Sequence, residues 1–317
     1  MGLAGIRSIR SLGLVSFWIS WGSVIAQVQS GGSQPNLAIL PRPRPAAEGL
    51  PNSTFRLDVK LIQVPVRVSD LRDHPVMSLD KSAFRLFEDD VEQQIATFSI
   101  SDTPISTGLV FDSSRSMKDR IADSRAAVAQ FCTTSLPGDE FFVVRFSDNA
   151  ELISPFTTDT AEIQKQLSLL QPHGWTAMID AIWRSVEEMR KARNPRKVLL
   201  VLSDGGDNNS RYSENELFSR VREADVRVYA IGLFQRPRYL EKLADETGGR
   251  VIWVHRLSEL PGAMEAVSQQ IRHEYLVGYF SNHPPNDGKY HKVRIEVQPP
   301  EGMKQVHAAW RRGYVER

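Results

Sequence analysis

Leu109-Val-Phe-Asp-Ser-Ser-Arg-Ser-Met117 is an apolar run that ends on a carboxylate and continues with hydroxyls at alternate positions, giving Asp112-x-Ser114-x-Ser116. Two later segments share its character. Gly174-Trp-Thr-Ala177 places a hydroxyl, Thr176, just ahead of a helical pattern. Val198-Leu-Leu-Val-Leu-Ser-Asp-Gly205 is a second apolar run closing on a carboxylate, Asp204. Together these segments supply two carboxylates and three hydroxyls, with no imidazole and no thiolate. Hard oxygen donors of this kind suit Mg²⁺, Mn²⁺ or Ca²⁺ rather than Zn²⁺.

Around these segments strands and helices alternate. Ser106–Phe111 reads as a buried strand, Ile121–Thr134 as a helix, and Glu140–Phe146 with Ala150–Pro155 as strands joined at Ser147-Asp-Asn149. Asp159-Thr-Ala-Glu162 and Ser213-Glu-Asn-Glu216 read as capping boxes opening helices to Leu170 and Ala224. Ala177–Arg193 is a helical pattern, Lys197–Leu202 and Val226–Leu233 are strand patterns, and Arg238–Glu246 is a helix closed by Gly248-Gly249. Arg250–Val254 and Ser258–Arg272 complete the series. Such alternation predicts an α/β fold with a doubly wound, mostly parallel sheet. Ligands of such sheets lie beyond the carboxyl ends of the strands, where the winding reverses. Asp112 and Asp204 both terminate strands there, and Thr176 lies on a loop entering a helix.

Asp112-x-Ser114-x-Ser116, Thr176 and Asp204, in that order and on those elements, resemble the metal-ion-dependent adhesion site (MIDAS) of von Willebrand factor type A domains. The resemblance runs from about Ser106 to Gln270. It implies that the two strands are neighbours and that the five residues hold a divalent cation, directly or through water, with a coordination position left for a partner carboxylate. Two positions depart from the family pattern: Arg115 and Trp175 stand where glycines are usual. Neither is a ligand position. Both alter the rim where a partner docks, and Trp175 reads equally as a rim contact or as core.

The flanks are different in kind. Residues 1–26 read as an export signal, with Arg7 and Arg10 before the apolar stretch Leu12–Ile25 and a cleavage pattern at Val24-x-Ala26. Retention as an anchor is the alternative. Residues 27–53, with Pro41-Arg-Pro-Arg-Pro45, read as an extended spacer. Residues 54–101 form an N-terminal β unit. Thr54–Ser69 is a strand with a slip near Gln63-Val64, a short turn or helix precedes Phe84, and Phe84–Phe87 with Val91–Ile100 is a hairpin. The α/β domain occupies 102–272. In 273–317 three more strands, Glu274–Phe280, Lys289–Val297 and Lys304–Arg311, are separated by Pro-rich breaks. Neither β segment has a second layer alone, so the two are expected to pack into one small sandwich interrupted by the α/β domain. The full arrangement resembles bacterial exported proteins related to von Willebrand type A domains.

Composition narrows the function. A net charge of +1 gives no basic excess for nucleic acid. A single cysteine, Cys132, excludes an internal disulfide and reads as a small buried hydrophobe. Enzyme motifs are lacking: there is no Gly-x-Ser-x-Gly elbow and no phosphate-binding Gly-x-x-x-x-Gly-Lys loop, and His273-Glu274 lacks the second histidine of a zinc-protease helix. The expectation is a non-enzymatic, exported binding or adhesion module, secreted or held in the cell envelope. Its cation, Mg²⁺ or else Mn²⁺ or Ca²⁺, bridges to an Asp or Glu carboxylate on a protein or peptide. No membrane span is expected once the signal is removed. A scaffold role in an envelope complex through the β domain is the alternative, and a metal-dependent hydrolase using Asp112 or Asp204 a more distant one.

Overall fold

Alternation of side chains decides the first strand, Leu61–Ser69 (β1): Ile62, Val64, Val66 and Val68 line its buried face while Leu61 and Gln63 turn outward. The structure is a computed structural model that describes residues 60–100, 103–284 and 286–316. The expected export signal, the spacer and the start of the N-terminal strand pattern lie outside the described residues. A short 3₁₀ turn at Lys81–Ala83, capped by the Asp80 side chain, leads into Phe84–Glu88 (β2). Val91–Gln93 (β3) returns along it, across a turn in which Asp89 and Asp90 both have positive φ. The run expected as one hairpin arm, Val91–Ile100, is broken after Gln93, and Ile95–Ile100 (β4) leaves for the other sheet.

The α/β unit begins with Ile105–Asp112 (β5), buried along its whole length as a central strand covered on both faces must be. Ile121–Thr133 (α1), Glu140–Phe146 (β6), Ala150–Thr157 (β7) and Thr160–Ser168 (α2) follow. Next come Met178–Glu188 (α3), Arg196–Ser203 (β8), Glu214–Glu223 (α4) and Arg227–Leu233 (β9). Arg238–Thr247 (α5), Arg250–Val254 (β10) and Leu260–Arg272 (α6) complete it. The Ser213–Glu216 capping box is present with both of its hydrogen bonds, and α5 ends on Gly248 in the left-handed region. Glycine is required at 248 twice over, because a Cβ there would also lie 2.5 Å from the Trp310 carbonyl carbon.

The six strands lie in the order β10-β9-β8-β5-β6-β7, all parallel except the edge strand β7. From β5 the chain steps one way to β6 and β7, then crosses back to β8 and on to β9 and β10. The winding therefore reverses between β5 and β8. One core lies between the sheet and α1, α2 and α6, with Phe111, Met117, Leu200 and Met264 fully or almost fully buried. The other lies under α3, α4 and α5, with Val110, Phe142, Val201 and Leu243. Cys132 is buried in the first core, and burial pushes its thiol up to about 12, out of the reactive range.

Four strands close the chain: Tyr275–Phe280 (β11), Tyr290–Val297 (β12), His307–Trp310 (β13) and Gly313–Val315 (β14). The sequence pattern showed three of them; Arg311-Arg312 interrupts the last run and β14 follows. They combine with the N-terminal strands into two four-stranded sheets, β13-β1-β11-β4 and β14-β12-β2-β3. Val66, Tyr275, Val277 and Tyr279 of the first sheet pack against Leu86, Val293 and Ile295 of the second. The expected slip at Gln63-Val64 is absent, since β1 keeps one register with β11 from Leu61↔Phe280 to Val66↔Tyr275. Ile100 and Tyr275 are ladder partners, so the strands on either side of the α/β unit lie side by side. Buried Glu274, just before β11, pairs with Arg196 at 3.0 Å and contacts Arg227, the first residues of β8 and β9. No helix among the described residues is long and apolar enough to cross a membrane.

Candidate metal centre

The register of the central strands sets the site. β5 and β8 pair in parallel up to Phe111↔Leu202, which leaves Asp112 and Ser203 as the next residues out, at the reversal of winding. Asp112 is fully buried, and its carboxylate is held on both sides. The Ser114 N–H donates to Oδ1 at 2.8 Å, and the Ser203 hydroxyl donates to Oδ2. Ser114 Oγ lies 3.0 Å from Ser116 Oγ, and the Ser116 hydroxyl donates to Asp204 Oδ1 at 2.7 Å. Four of the five expected residues thus form one continuous polar string from the end of β5 to the end of β8. Asp204 is 3 % exposed, while Ser116 faces solvent.

Thr176 reaches the same rim through its loop. The loop is tied to the strand-end segment by the His173 N–H donating to the Ser113 carbonyl (2.9 Å) and the Arg115 N–H to the Gly174 carbonyl (3.2 Å). The Thr176 N–H donates to Asn208 Oδ1 at 2.8 Å, and the Thr176 carbonyl accepts from the N–H groups of Asn208 and Asn209. Gly174 makes the approach possible: its φ is +71°, and a Cβ there would lie 2.2 Å from Asp148 Oδ2. Asp148 in turn accepts the Trp175 N–H at 2.8 Å. Trp175 is 64 % exposed, so of its two readings the rim position is the observed one. Asp207 caps α3, accepting the Ile179 N–H at 3.0 Å, and is therefore a loop anchor. Asp180 accepts the N–H groups of Arg211 and Tyr212, which fixes the far end of the same loop.

Two residues at the rim carried no signal in the sequence. Arg120, four residues after Ser116, donates through Nη1 to the Ser116 carbonyl at 3.0 Å and contacts Asp204 Oδ2. Its guanidinium lies 4.5 Å from the ring centroid of Phe234. Phe234 follows β9 and is 45 % exposed, with a φ of 71°, a conformation that costs a non-glycine residue on the order of 1 kcal/mol or more. Only the parallel register of β9 beside β8 brings it to Arg120, and no local pattern encodes that register.

The electrostatics favour a cation. Burial drives the Asp112 carboxyl up to about 6; hydrogen bonds from Ser114 and Ser203 oppose the shift, and the like charge of Asp204 adds to it. Asp112 has no cationic side chain among its hydrogen-bond partners, whereas Asp204 has Arg120. Two nearly buried carboxylates linked by hydroxyls match the oxygen-rich donor set that Mg²⁺ and Mn²⁺ accept. Beside the rim, the ring nitrogens of His173 lie 2.8 Å from the Gln171 carbonyl and 3.1 Å from Ser147 Oγ.

Residues 107–206 match the family model described as von Willebrand factor type A domain. Among solved structures, a von Willebrand factor type A protein from Catenulispora acidiphila aligns over 81 % of this chain and 75 % of its own, at 13 % identity and a TM-score of 0.51. Proximal thread matrix protein 1 from the mussel byssus, in a form with a zinc-occupied MIDAS motif, aligns over 58 % of this chain and 49 % of its own, at 20 % identity and a TM-score of 0.47. The von Willebrand factor domain of the type V pili tip protein Mfa5 from Porphyromonas gingivalis aligns over 53 % and 95 %, at 14 % identity and a TM-score of 0.45. At these identities the first likeness is one of fold.

Proposed function

We propose that the α/β unit is a von Willebrand factor type A domain and that this protein is a non-enzymatic, exported binding module whose rim grips an acidic partner through a divalent cation. Asp112, Ser114, Ser116, Thr176 and Asp204 hold the ion, Mg²⁺ or else Mn²⁺ or Ca²⁺, directly or through water. The observation that carries this reading is the hydrogen-bonded string Asp112–Ser114–Ser116–Asp204 across two adjacent strand ends. When bound, the ion supplies a positive centre that a partner's Asp or Glu carboxylate can complete. The chain's own groups do the rest. Ser203 and the Ser114 N–H orient Asp112, Gly174 lets the Thr176 loop approach, and Trp175 and Phe234 offer exposed apolar surface beside the ion for the partner's flanking residues.

The test is calorimetric titration of Mg²⁺ and Mn²⁺ into the full chain, followed by affinity capture from native extract in Mg²⁺ and in EDTA. Binding of one ion at the rim, lost in Asp112→Ala, and a protein captured only with the ion are the expected results. A partner retained equally in EDTA favours the scaffold reading, with docking through the sandwich. Metal-dependent turnover of ester or phosphoester substrates, abolished by Asp112→Ala, would show a hydrolase instead.

A further inference from the structure

We propose that Asp89, His283 and His291, on the β sandwich and apart from the rim, form a second cation site suited to Zn²⁺ or a neighbouring transition metal. The three come from different segments. Asp89 sits in the β2–β3 turn, His283 in the stretch after β11, and His291 near the start of β12. His291 Nδ1 lies 2.8 Å and His283 Nε2 3.2 Å from the same atom, Asp89 Oδ2, and one ligand atom from each residue falls within 4.8 Å of the other two. A tetrahedral zinc with bonds of about 2.0–2.1 Å separates its ligands by about 3.3 Å. The cluster therefore needs to open by only about half an ångström at the His291–Asp89 pair. The side chains of His283 and Asp89 are 35 % and 37 % exposed, so they have room to do so; the same adjustment tilts the His283 ring out of its stack on His291 (centroids 4.0 Å).

The surroundings have the form of a built ligand set. His291 is 3 % exposed, and its second nitrogen, Nε2, faces Asp287 at 3.2 Å. A carboxylate behind a metal-bound imidazole is the usual device that fixes the tautomer and strengthens the donor. With Nε2–H donated to Asp287, the Nδ1 lone pair points at Asp89 Oδ2, and two lone pairs at 2.8 Å repel unless a positive charge lies between them. Asp89 is itself fixed by the Lys292 N–H on Oδ1 at 2.8 Å. Buried Glu88 lies 3.8 Å from His283 Nε2 and already accepts the hydroxyls of Tyr279, Tyr314 and Ser281. It adds negative potential without being free to swing in as a ligand. Three carboxylates thus surround two imidazoles. Either an extra proton on His291 or a divalent ion balances them, and mixed His/carboxylate donors are those that zinc accepts.

The two balances are separable by experiment. Tag-free full chain, stripped with chelator, is titrated with Zn²⁺ against a chromogenic competitor, and the loaded protein is measured by X-ray absorption at the zinc edge. The rim donors include no imidazole, so imidazole outer-shell scattering separates the sandwich site from the rim, and its loss in His283→Gln assigns it to this cluster. The expected result is imidazole-ligated zinc in the wild type, retained in Asp112→Ala. In His283→Gln, whose solvent-side position leaves the fold intact by circular dichroism, one zinc equivalent binds at least tenfold more weakly. Zinc bound through oxygen alone, or unchanged zinc affinity in both His283→Gln and His291→Gln, would overturn the proposal in favour of a protonated, ion-paired His291.

Discussion

Arg120 reaches over the rim to Asp204 and contacts its Oδ2, while the Ser116 hydroxyl occupies Oδ1. The carboxylate proposed to hold the cation is thus already shared with a cation of the protein's own. The pair is partly exposed, with 31 % of the Arg120 side chain open to solvent, so its own contribution to stability is on the order of 1 kcal/mol or less. As a competitor for the ion it matters more. Arg120→Ala is expected to tighten Mg²⁺ binding by about three- to tenfold, since roughly 1 kcal/mol corresponds to about fivefold in affinity. Titration calorimetry on the variant reads this directly; unchanged or weaker binding would show that Arg120 positions Asp204 rather than competing for it.

Gly174 is the hinge of the Thr176 loop. Gly174→Ala must either leave its φ of +71° or displace Asp148, and either response moves Thr176 away from the strand ends. The expected outcome is a loss of at least tenfold in Mg²⁺ affinity, with destabilisation of only about 1–2 kcal/mol by urea titration. Equal metal affinity in the variant would remove Thr176 from the ligand set.

Glu274 is the counter-charge for buried arginines at the base of the α/β sheet. It is 1 % exposed, pairs with Arg196 and contacts Arg227, whose guanidinium burial pulls down to about 10. Glu274→Gln leaves those guanidinium groups facing a neutral amide. The expected cost is about 3–5 kcal/mol, because breaking a buried pair strands the remaining charge. A shifted urea midpoint at constant slope is the readout, and a change below about 1 kcal/mol would mean that water reaches the cluster.

Asp73 and Arg250 join the loop after β1 to the edge strand β10, with Arg250 Nη2 donating to Asp73 Oδ2 at 2.6 Å. That hydrogen bond holds the Asp73 carboxyl below the ordinary aspartate value. A carboxylate with a depressed folded pKa stabilises the protein above its unfolded pKa, near 3.8, and loses that effect as the pH falls through the folded value. At 43 % side-chain exposure solvent screens the pair, so Asp73→Asn is expected to cost no more than about 1 kcal/mol at pH 7. The difference from wild type should vanish in strong acid, which thermal melts at pH 7 and near pH 2 compare. A difference that persists at low pH would assign the effect to packing.

What is legible in the sequence divides along physical lines. Strands β5 and β8 were readable because a central parallel strand is apolar throughout and ends where its carboxylate begins. The five rim positions were readable because they lie on such ends and on one short loop. Arg120 and Phe234 were not, since they meet through lateral strand register and neither sits on a patterned element. In the β segments, period-two alternation located the strands but not their partners. β4 changes sheets after Gln93, and nothing local distinguishes that from a hairpin continuing. The histidine pair was hidden for the same reason: His283 lies in a Pro-rich break and Asp89 in a turn nearly two hundred residues upstream, so only the closed sandwich brings them together.

The pairing of Ile100 with Tyr275 also predicts an order of events during folding. An open chain would lose a large loop entropy in bringing these two residues together, growing with the logarithm of the intervening length. Once the α/β sheet has formed, its first and last segments already lie close and most of that loss has been met by contacts made elsewhere. The sandwich is then expected to form last, and a metal held by Asp89, His283 and His291 to act on unfolding rates more than on refolding rates. Pulse-labelled hydrogen exchange should find amides of β5 and β8 protected before those of β1 and β12; the reverse sequence would refute this order.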